Sequence, residues 1–203
     1  MQQIGILGGT FNPPHLGHVH AAVCAADELG LDRVLMLPGY QPPHKETADR
    51  SPSAEQRLEM VRLAALADPR LTADDCEIRR GGKSYTVFTL QELRIRFPQA
   101  KLTFLCGTDM FLTLDRWFRA EELLKLARFA VAPRTEGKDE ALQQKAEELR
   151  QTFGADVCIL RNPVLELSSS EIRERLQNGD FQGLSAEVAA YIRENRLYDV
   201  GMR

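Results

Sequence analysis

The sequence lacks several features that identify whole classes of protein. Its four cysteines, Cys24, Cys76, Cys106 and Cys158, form no C-x-x-C pair, and each lies in an apolar or strand-like run. The formal net charge is −3, whereas proteins that hold nucleic acid by bulk attraction need a basic face. No apolar run approaches the roughly 20 residues of a membrane span, and the first residues show no basic region or cleavage site. We therefore expect a cytoplasmic protein with reduced core thiols and with neither nucleic acid nor membrane as a partner.

Signatures of several nucleotide-binding and catalytic sites are also missing. No Gly-Lys-Ser/Thr follows the first glycines, which excludes a Walker loop, and the G-x-G-x-x-G spacing of dinucleotide-binding proteins is absent. The sequence offers no serine-histidine-acid arrangement, no cysteine nucleophile and no cluster of carboxylates for two metal ions. These absences favour a site that positions its substrates over one that forms a covalent intermediate.

The stretch from Gly8 to His18, GGTFNPPHLGH, is the most informative part of the chain. It follows an apolar run, Ile4 to Leu7, that predicts a buried strand, and it leads into an alanine-rich helix beginning near Leu16. Gly8 and Gly9 have no Cβ, so another molecule can approach the backbone closely, and free N–H groups at a helix start favour an anion. Strand, glycine-rich turn and helix together predict a phosphate-binding site.

Two histidines distinguish this turn from other phosphate loops. His15 and His18 lie three residues apart at the start of the predicted helix, so their side chains share a face and can both donate to one polyphosphate. A buried hydrogen-bonded pair and a bi-histidine metal site are the alternatives. Zinc usually takes three or four protein ligands, and no Cys, Glu or third His stands at ligand spacing nearby, which weighs against a metal.

Strand-like and helical patterns alternate along the chain. Further buried strands are predicted at Arg33 to Pro38, Lys101 to Cys106, Arg128 to Arg134 and Val157 to Leu160. A short strand or strand pair is predicted over Leu71–Ala73 and Glu77–Ile78. The alternation predicts an α/β protein with a doubly wound, mostly parallel sheet and a site along the carboxyl edge of its strands. We expect residues 1–203 to form a single domain, with a small helical portion from about residue 165 onward.

The segment after Ser53 is predicted to be a scaffold helix. Ser53 and Gln56 match a capping box, and the residues that recur at helical spacing are Leu58, Val61, Arg62 and Ala65.

Residues at predicted strand ends and helix starts are candidates to hold a ligand. Gly107 and Asp109 follow a strand, where Asp109 could bind a ribose hydroxyl or cap the next helix. Tyr85 and Thr86 begin a helix, and on spacing alone Thr86 is equally well an N-cap.

Three further candidates carry a charge or a large aromatic ring. Lys45 lies in a long proline-rich loop from which it could reach a triphosphate, although a solvated surface lysine is the commoner case. Trp117, the only tryptophan, could stack on a cationic ring or pack in the core. Arg134 ends a predicted strand, and its planar guanidinium could clamp a phosphate.

A second motif lies far down the chain at Leu167 to Arg173, LSSSEIR. Ser168, Ser169 and Ser170 precede a predicted helix, and Arg173 projects from its first turn. Capping alone would explain one serine, so three serines with an arginine favour a second anion-binding helix start.

These motifs resemble a known family. Gly9 to Pro13, followed by His15-x-Gly17-His18, resembles the signature of the nucleotidyltransferase superfamily whose T/H-x-G-H motif binds ATP, and LSSSEIR resembles its I-S-S-T-x-I-R. Asn12 stands where relatives often carry aspartate. The resemblance spans almost the whole chain and extends to the bacterial nicotinate-nucleotide adenylyltransferases. It implies a Rossmann-like fold and adenylyl transfer from ATP, with Mg²⁺, to nicotinate mononucleotide, which yields deamido-NAD and pyrophosphate in NAD biosynthesis.

The resemblance also implies a role for each candidate residue. The catalytic group would be His18, His15, Lys45 and Arg173. The residues expected to bind ATP are Gly8, Gly9, Thr10, Phe11, His15, His18, Lys45, Ser168, Ser169 and Arg173. The residues expected to bind the mononucleotide are Asn12, Tyr85, Thr86, Gly107, Asp109, Trp117 and Arg134. No protein side chain is expected to ligate the metal ion.

Two alternatives to this function stay open. A related transferase could use another acceptor, such as phosphopantetheine, nicotinamide mononucleotide or, with CTP, glycerol phosphate. A nucleotide sensor without activity could keep the same fold. The sequence does not indicate the oligomeric state.

Overall fold

A parallel sheet lies at the centre of the structure, a computed structural model that describes residues 1–41, 51–133, 140–161, 165 and 167–200. Within these ranges its strands are β1 (Gln3–Gly9), β2 (Arg33–Pro38), β3 (Leu71–Ala73), β4 (Lys101–Cys106), β5 (Arg128–Val131) and β6 (Val157–Ile159). Their order across the sheet is β3-β2-β1-β4-β5-β6, and every neighbouring pair is parallel. All carboxyl ends therefore lie at one edge of the sheet, and the order changes direction at β1.

Helices connect the strands on both sides. In the described ranges they are α1 (Leu16–Leu29), α2 (Ala54–Ala65), α3 (Cys76–Arg80), α4 (Thr86–Arg96), α5 (Thr108–Phe111), α6 (Ala120–Leu126), α7 (Glu140–Phe153), α8 (Ser169–Gln177) and α9 (Ala186–Glu194). Short 3₁₀ turns cover Leu114–Arg116 and Leu197–Asp199. None of these helices has the length and apolar character needed to cross a membrane.

Two hydrophobic cores cover the two faces of the sheet. Side chains alternate along a strand, so in β2 Val34 and Met36 enter one core while Leu35 and Leu37 enter the other. The first core includes residues of α1, α2, α8 and α9, and the second includes residues of α4, α6 and α7. This two-sided burial confirms the predicted α/β fold with a doubly wound parallel sheet.

One predicted strand is wrong. Glu77 and Ile78 belong to helix α3, which local side chains favour. Asp74 accepts a hydrogen bond from the backbone N–H of Cys76, and Asp75 pairs with Arg79 four residues later at 2.8 Å. Such i,i+4 pairs stabilise a helical turn and have no equivalent in a strand.

The expectation of four core cysteines is only half correct. All four are free thiols, but Cys24 and Cys158 are partly exposed, whereas Cys76 and Cys106 are buried. Burial raises the pKa of the Cys76 and Cys106 thiols, so both stay protonated and act as small core side chains.

Candidate active site

The glycine-rich turn leaves the sheet where the strand order changes direction. β1 pairs with β2 on one side, where Gly9 is the partner of Pro38, and with β4 on the other, where Ile6 is the partner of Phe104. Gly39 donates its backbone N–H to the carbonyl of Gly9 at 2.9 Å, which ties the start of the turn to the end of β2. In open α/β sheets this crevice is the usual place for a ligand.

The rings of His15 and His18 lie against each other at the start of α1, as expected for side chains that share a face. Their ring centroids lie 3.7 Å apart. The ring of Phe11, which is buried, lies 4.8 Å from that of His18, centroid to centroid. His15 is the N-cap residue, and its backbone N–H donates to Nδ1 of His18 at 3.2 Å. Because Nδ1 of His18 accepts, the neutral imidazole carries its proton on Nε2 and has one N–H to donate.

Both imidazoles are neutral in this environment. Burial lowers the pKa of His15 to about 4, against an opposing effect of the Glu171 carboxylate. Burial, together with the positive charge that His15 would carry, lowers the pKa of His18 to about 3. His15 Nδ1 is buried and has no hydrogen-bond partner in the described part of the chain. The pair can therefore donate N–H hydrogens to an anion without itself carrying a charge at neutral pH.

Gly17, between the two histidines, has no room for a side chain. A Cβ there would lie 3.0 Å from Nδ1 of His15 and 3.0 Å from the backbone oxygen of Leu165. Its neighbour Leu16 donates its backbone N–H to the carbonyl of Gly183 at 2.9 Å. The glycine of the H-x-G-H motif thus lets the start of α1 pack closely against the C-terminal segment.

The second motif contacts the first directly. Ser168 is the N-cap of α8, and its hydroxyl accepts from the backbone N–H of Glu171 at 3.1 Å. The hydroxyl of Ser169 donates to the carbonyl of Pro13 at 2.9 Å, and Nη1 of Arg173 donates to the carbonyl of Asn12 at 2.7 Å. The two motifs therefore form one site, although 156 and 161 residues separate these bonded pairs.

Asn12 is held from two sides by residues that the sequence motifs do not include. Its Nδ2 donates to the hydroxyl of Ser51 at 3.2 Å, and its Oδ1 accepts from the hydroxyl of Tyr198 at 2.7 Å. Burial raises the pKa of Tyr198, so its hydroxyl keeps the proton that it donates. The orientation of the Asn12 amide is thereby fixed.

Arg57 of α2 is a second residue that sequence reasoning missed. Its side chain is only 2% exposed, and it donates from Nη1 to the carbonyl of Thr10 at 2.7 Å and from Nη2 to that of Tyr40 at 3.1 Å. The helical pattern includes Arg62 instead, which is exposed and pairs with Glu59. The sequence does not show which of the two arginines is buried, because the carbonyls that Arg57 binds lie on distant segments.

Gly107 and Asp109, two candidates for the mononucleotide, lie at the same sheet edge as the turn. Gly107 and Asp109 follow β4, the neighbour of β1, and both are exposed. Tyr85 is the N-cap residue of α4 and Thr86 its first helical residue, so the alternative reading of Thr86 as the N-cap is wrong. The Tyr85 ring lies 4.5 Å from that of Phe118, centroid to centroid.

Trp117 lies partly in the core and partly in solvent. Its ring meets Phe104 edge-on, with centroids 6.1 Å apart, and its indole N–H donates to the hydroxyl of Thr113 at 3.4 Å. Trp117 therefore packs against a core residue and also remains partly exposed to solvent. Two other predicted site residues, Lys45 and Arg134, lie outside the described residues.

The donors at the turn fit a polyphosphate better than a bare metal ion. In the ranges that the structure describes, no three His, Cys, Asp or Glu side chains are placed to hold a metal ion. The turn instead combines two neutral imidazoles with the guanidinium of Arg173. Groups of these kinds bind phosphate oxygens.

The sequence is similar to a family model and to known proteins over most of its length. Residues 6–175 match the model of the family described as cytidylyltransferase-like. A protein of Neisseria meningitidis serogroup C, named probable nicotinate-nucleotide adenylyltransferase, is 42% identical over 98% of this chain and 100% of its own length. One of the same name from Gloeobacter violaceus is 39% identical over 98% of this chain and 97% of its own.

A solved structure has the same fold. The nicotinic acid mononucleotide adenylyltransferase of Plasmodium falciparum, complexed with NaAD, superposes with a TM-score of 0.79 over 100% of both chains. Its sequence is 18% identical, so the likeness is one of fold.

Proposed function

Since this chain belongs to the cytidylyltransferase-like family, and within it to the nicotinate-nucleotide adenylyltransferases, we propose that it transfers the adenylyl group of ATP to nicotinate mononucleotide. The products are deamido-NAD and pyrophosphate, which makes this a step of NAD biosynthesis. The main support for the proposal is that two motifs far apart in sequence meet at one turn. Ser169 bonds to Pro13, and Arg173 bonds to Asn12.

The reaction needs little covalent help from the protein. A phosphate monoester has a second pKa near ~6, so the phosphate of the mononucleotide is largely dianionic at neutral pH and needs no general base. One of its oxygens attacks the α-phosphorus of ATP in line, and the bond to the β-phosphate oxygen breaks to release pyrophosphate. The protein has to align the two phosphates and stabilise the charge that moves to the leaving group.

We assign the triphosphate to the turn and to the two helix starts. His18 donates from Nε2, and His15, Lys45, Ser168, Ser169 and Arg173 surround the same phosphates, together with the backbone of residues 8–11. Neutral imidazoles suit this role, because each donates an N–H hydrogen without a proton having to be taken up first. Asn12, Tyr85, Thr86, Gly107, Asp109, Trp117 and Arg134 are assigned to the mononucleotide.

We propose that Mg²⁺ enters with ATP. The described residues offer no carboxylate cluster for a dedicated site, which fits an ion held by phosphate oxygens and water. Mg²⁺ would supply positive charge to the phosphates, while His18 and Arg173 donate hydrogen bonds to the remaining oxygens. We also propose a cytoplasmic location, which the four free thiols favour.

Pyrophosphate release with ATP and Mg²⁺ tests the reaction, with nicotinate mononucleotide, nicotinamide mononucleotide and phosphopantetheine as separate acceptors. A strong preference for the first is expected. Turnover only with another acceptor would assign the chain a related reaction, and ATP binding without turnover of any acceptor would indicate a nucleotide sensor. Exchange of labelled pyrophosphate into ATP without acceptor should be absent, since such exchange would reveal an adenylyl-enzyme and refute direct attack.

A further inference from the structure

Arg57 is a buried cation at the base of the glycine-rich turn. An arginine side chain keeps its charge in a protein, and burial of a charge is costly unless it is compensated. In the described part of the chain Arg57 forms no ion pair with a carboxylate, and its Nε atom has no hydrogen-bond partner. Glu55, two residues earlier, accepts a hydrogen bond from the hydroxyl of Ser53 instead. Among the described residues, the direct partners of the guanidinium are thus two carbonyls, and the Glu55 carboxylate acts on it without an ion-pair contact.

Those two carbonyls come from the two segments that border the site. Thr10 lies in the turn after β1, and Tyr40 lies just after β2, so one guanidinium joins the ends of neighbouring strands. In a trans peptide the N–H points away from the carbonyl. When Arg57 holds the Thr10 carbonyl inward, it therefore turns the N–H of Phe11 to the opposite side. Phe11 adopts a left-handed backbone with φ of 50°, and its N–H has no partner in the described residues.

We propose that Arg57 is a positioning residue for the polyphosphate: it fixes the Thr10–Phe11 peptide with its N–H toward the ligand and supplies a buried positive charge that the bound anion neutralises. The identity of the anion as ATP rests on the proposed function. The role of Arg57 rests on its burial and on its two carbonyl contacts.

Binding measurements can separate this role from a merely structural one. The variants are Arg57→Gln and Arg57→Met, which remove the charge, and Arg57→Lys, which keeps it. The matched control is Arg62→Gln, an exposed arginine on the same helix. Isothermal titration calorimetry with metal-free ATP and with AMP compares ligands of different charge on the same site, and thermal unfolding reports the integrity of each variant.

When a nearby positive charge is removed, the free energy with which an anion binds becomes less favourable in proportion to the anion's own charge. We expect Arg57→Gln to raise Kd for ATP by about tenfold and Kd for AMP by about threefold, since ATP carries about twice the charge. Arg57→Lys should keep the wild-type ratio of the two Kd values, and Arg62→Gln should match the wild type. If Arg57→Met does not fold, Arg57→Gln gives the same readout, because its amide can still donate to one carbonyl.

Equal weakening of ATP and AMP in Arg57→Gln, or no benefit of Arg57→Lys over Arg57→Gln, would overturn the proposal. The Kd values for ATP and AMP are measured without turnover, so they do not depend on the proposed reaction. A wild-type protein that binds ATP but releases no pyrophosphate would refute the proposed reaction and leave the role of Arg57 intact. Normal turnover by the wild type, with unaltered ATP binding in Arg57→Gln, would refute the role of Arg57 alone.

Discussion

Tyr198 donates its hydroxyl hydrogen to the side-chain oxygen of Asn12 at 2.7 Å, across 186 residues of chain. The backbone around Tyr198 is unusual, because Arg196, Tyr198 and Asp199 all have positive φ, at 53°, 64° and 50°. Such conformations cost free energy in residues other than glycine, so surrounding contacts must hold them in place. The C-terminal segment is therefore part of the support of the glycine-rich turn.

Tyr198→Phe should loosen Asn12 without disrupting the core. The lost hydrogen bond is expected to lower the free energy of unfolding by about 1 kcal/mol and kcat/KM for the mononucleotide by about three- to tenfold. Urea unfolding and initial rates measure both effects. The control is Tyr191→Phe on α9, a partly buried tyrosine whose hydroxyl bonds to none of the described residues. Equal kinetics in the two variants would show that Tyr198 does not position the turn.

The histidine pair should make the protein less stable in mild acid. Both folded-state pKa values lie below the ordinary value of 6.5, so the unfolded chain binds protons first as the pH falls. The stability is fully present above pH 6.5 and is lost as the pH falls toward about 4 for His15 and about 3 for His18.

Urea unfolding at pH 7.5 and pH 5.0 measures this loss. Each histidine should contribute up to about 2 kcal/mol of it by pH 5. His18→Gln removes one titrating group, so this variant should lose less stability than the wild type between the two pH values. An identical loss in both proteins would mean that the folded His18 titrates near its ordinary pKa.

Two glycine variants should separate the site from the scaffold. Gly17→Ala places a Cβ against Nδ1 of His15, so kcat/KM should fall at least about tenfold, since a misplacement of about 1 Å is costly in catalysis. Gly5→Ala places a Cβ 2.7 Å from Cδ1 of Leu31 in the core and should instead cost about 1–3 kcal/mol of stability. Initial rates and urea unfolding on both variants check the contrast, and the reverse pattern would contradict it.

Local patterns made much of the fold predictable. The first strand, the glycine-rich turn and α1 are adjacent in sequence, so their glycines and apolar residues specify the start of the helix near Leu16. The alternation of strands and helices likewise predicts the parallel sheet. The strand predicted at Glu77–Ile78 is wrong because two residues of mixed polarity fit a strand or a helix, and the bonds that decide for a helix come from Asp74 and Asp75.

The supports of the site could not be predicted from sequence. Arg57 binds carbonyls that lie 47 and 17 residues away, and Tyr198 binds a side chain at the other end of the chain. Neither contact produces a periodic or spaced pattern, because every residue could offer Arg57 a carbonyl and the partner of Tyr198 lies 186 residues away. The roles assigned to individual site residues, including Lys45 and Arg134, stay predictions.

The most direct test of the account is the activity of His18→Ala beside that of His20→Ala. We propose that His18, at the start of α1, donates from Nε2 to the triphosphate, whereas His20 lies on an exposed part of the same helix. With nicotinate mononucleotide and MgATP, His18→Ala should remain folded and lose at least about 100-fold in kcat/KM, while His20→Ala keeps wild-type rates. A loss of only a few-fold in folded His18→Ala would remove His18 from the mechanism.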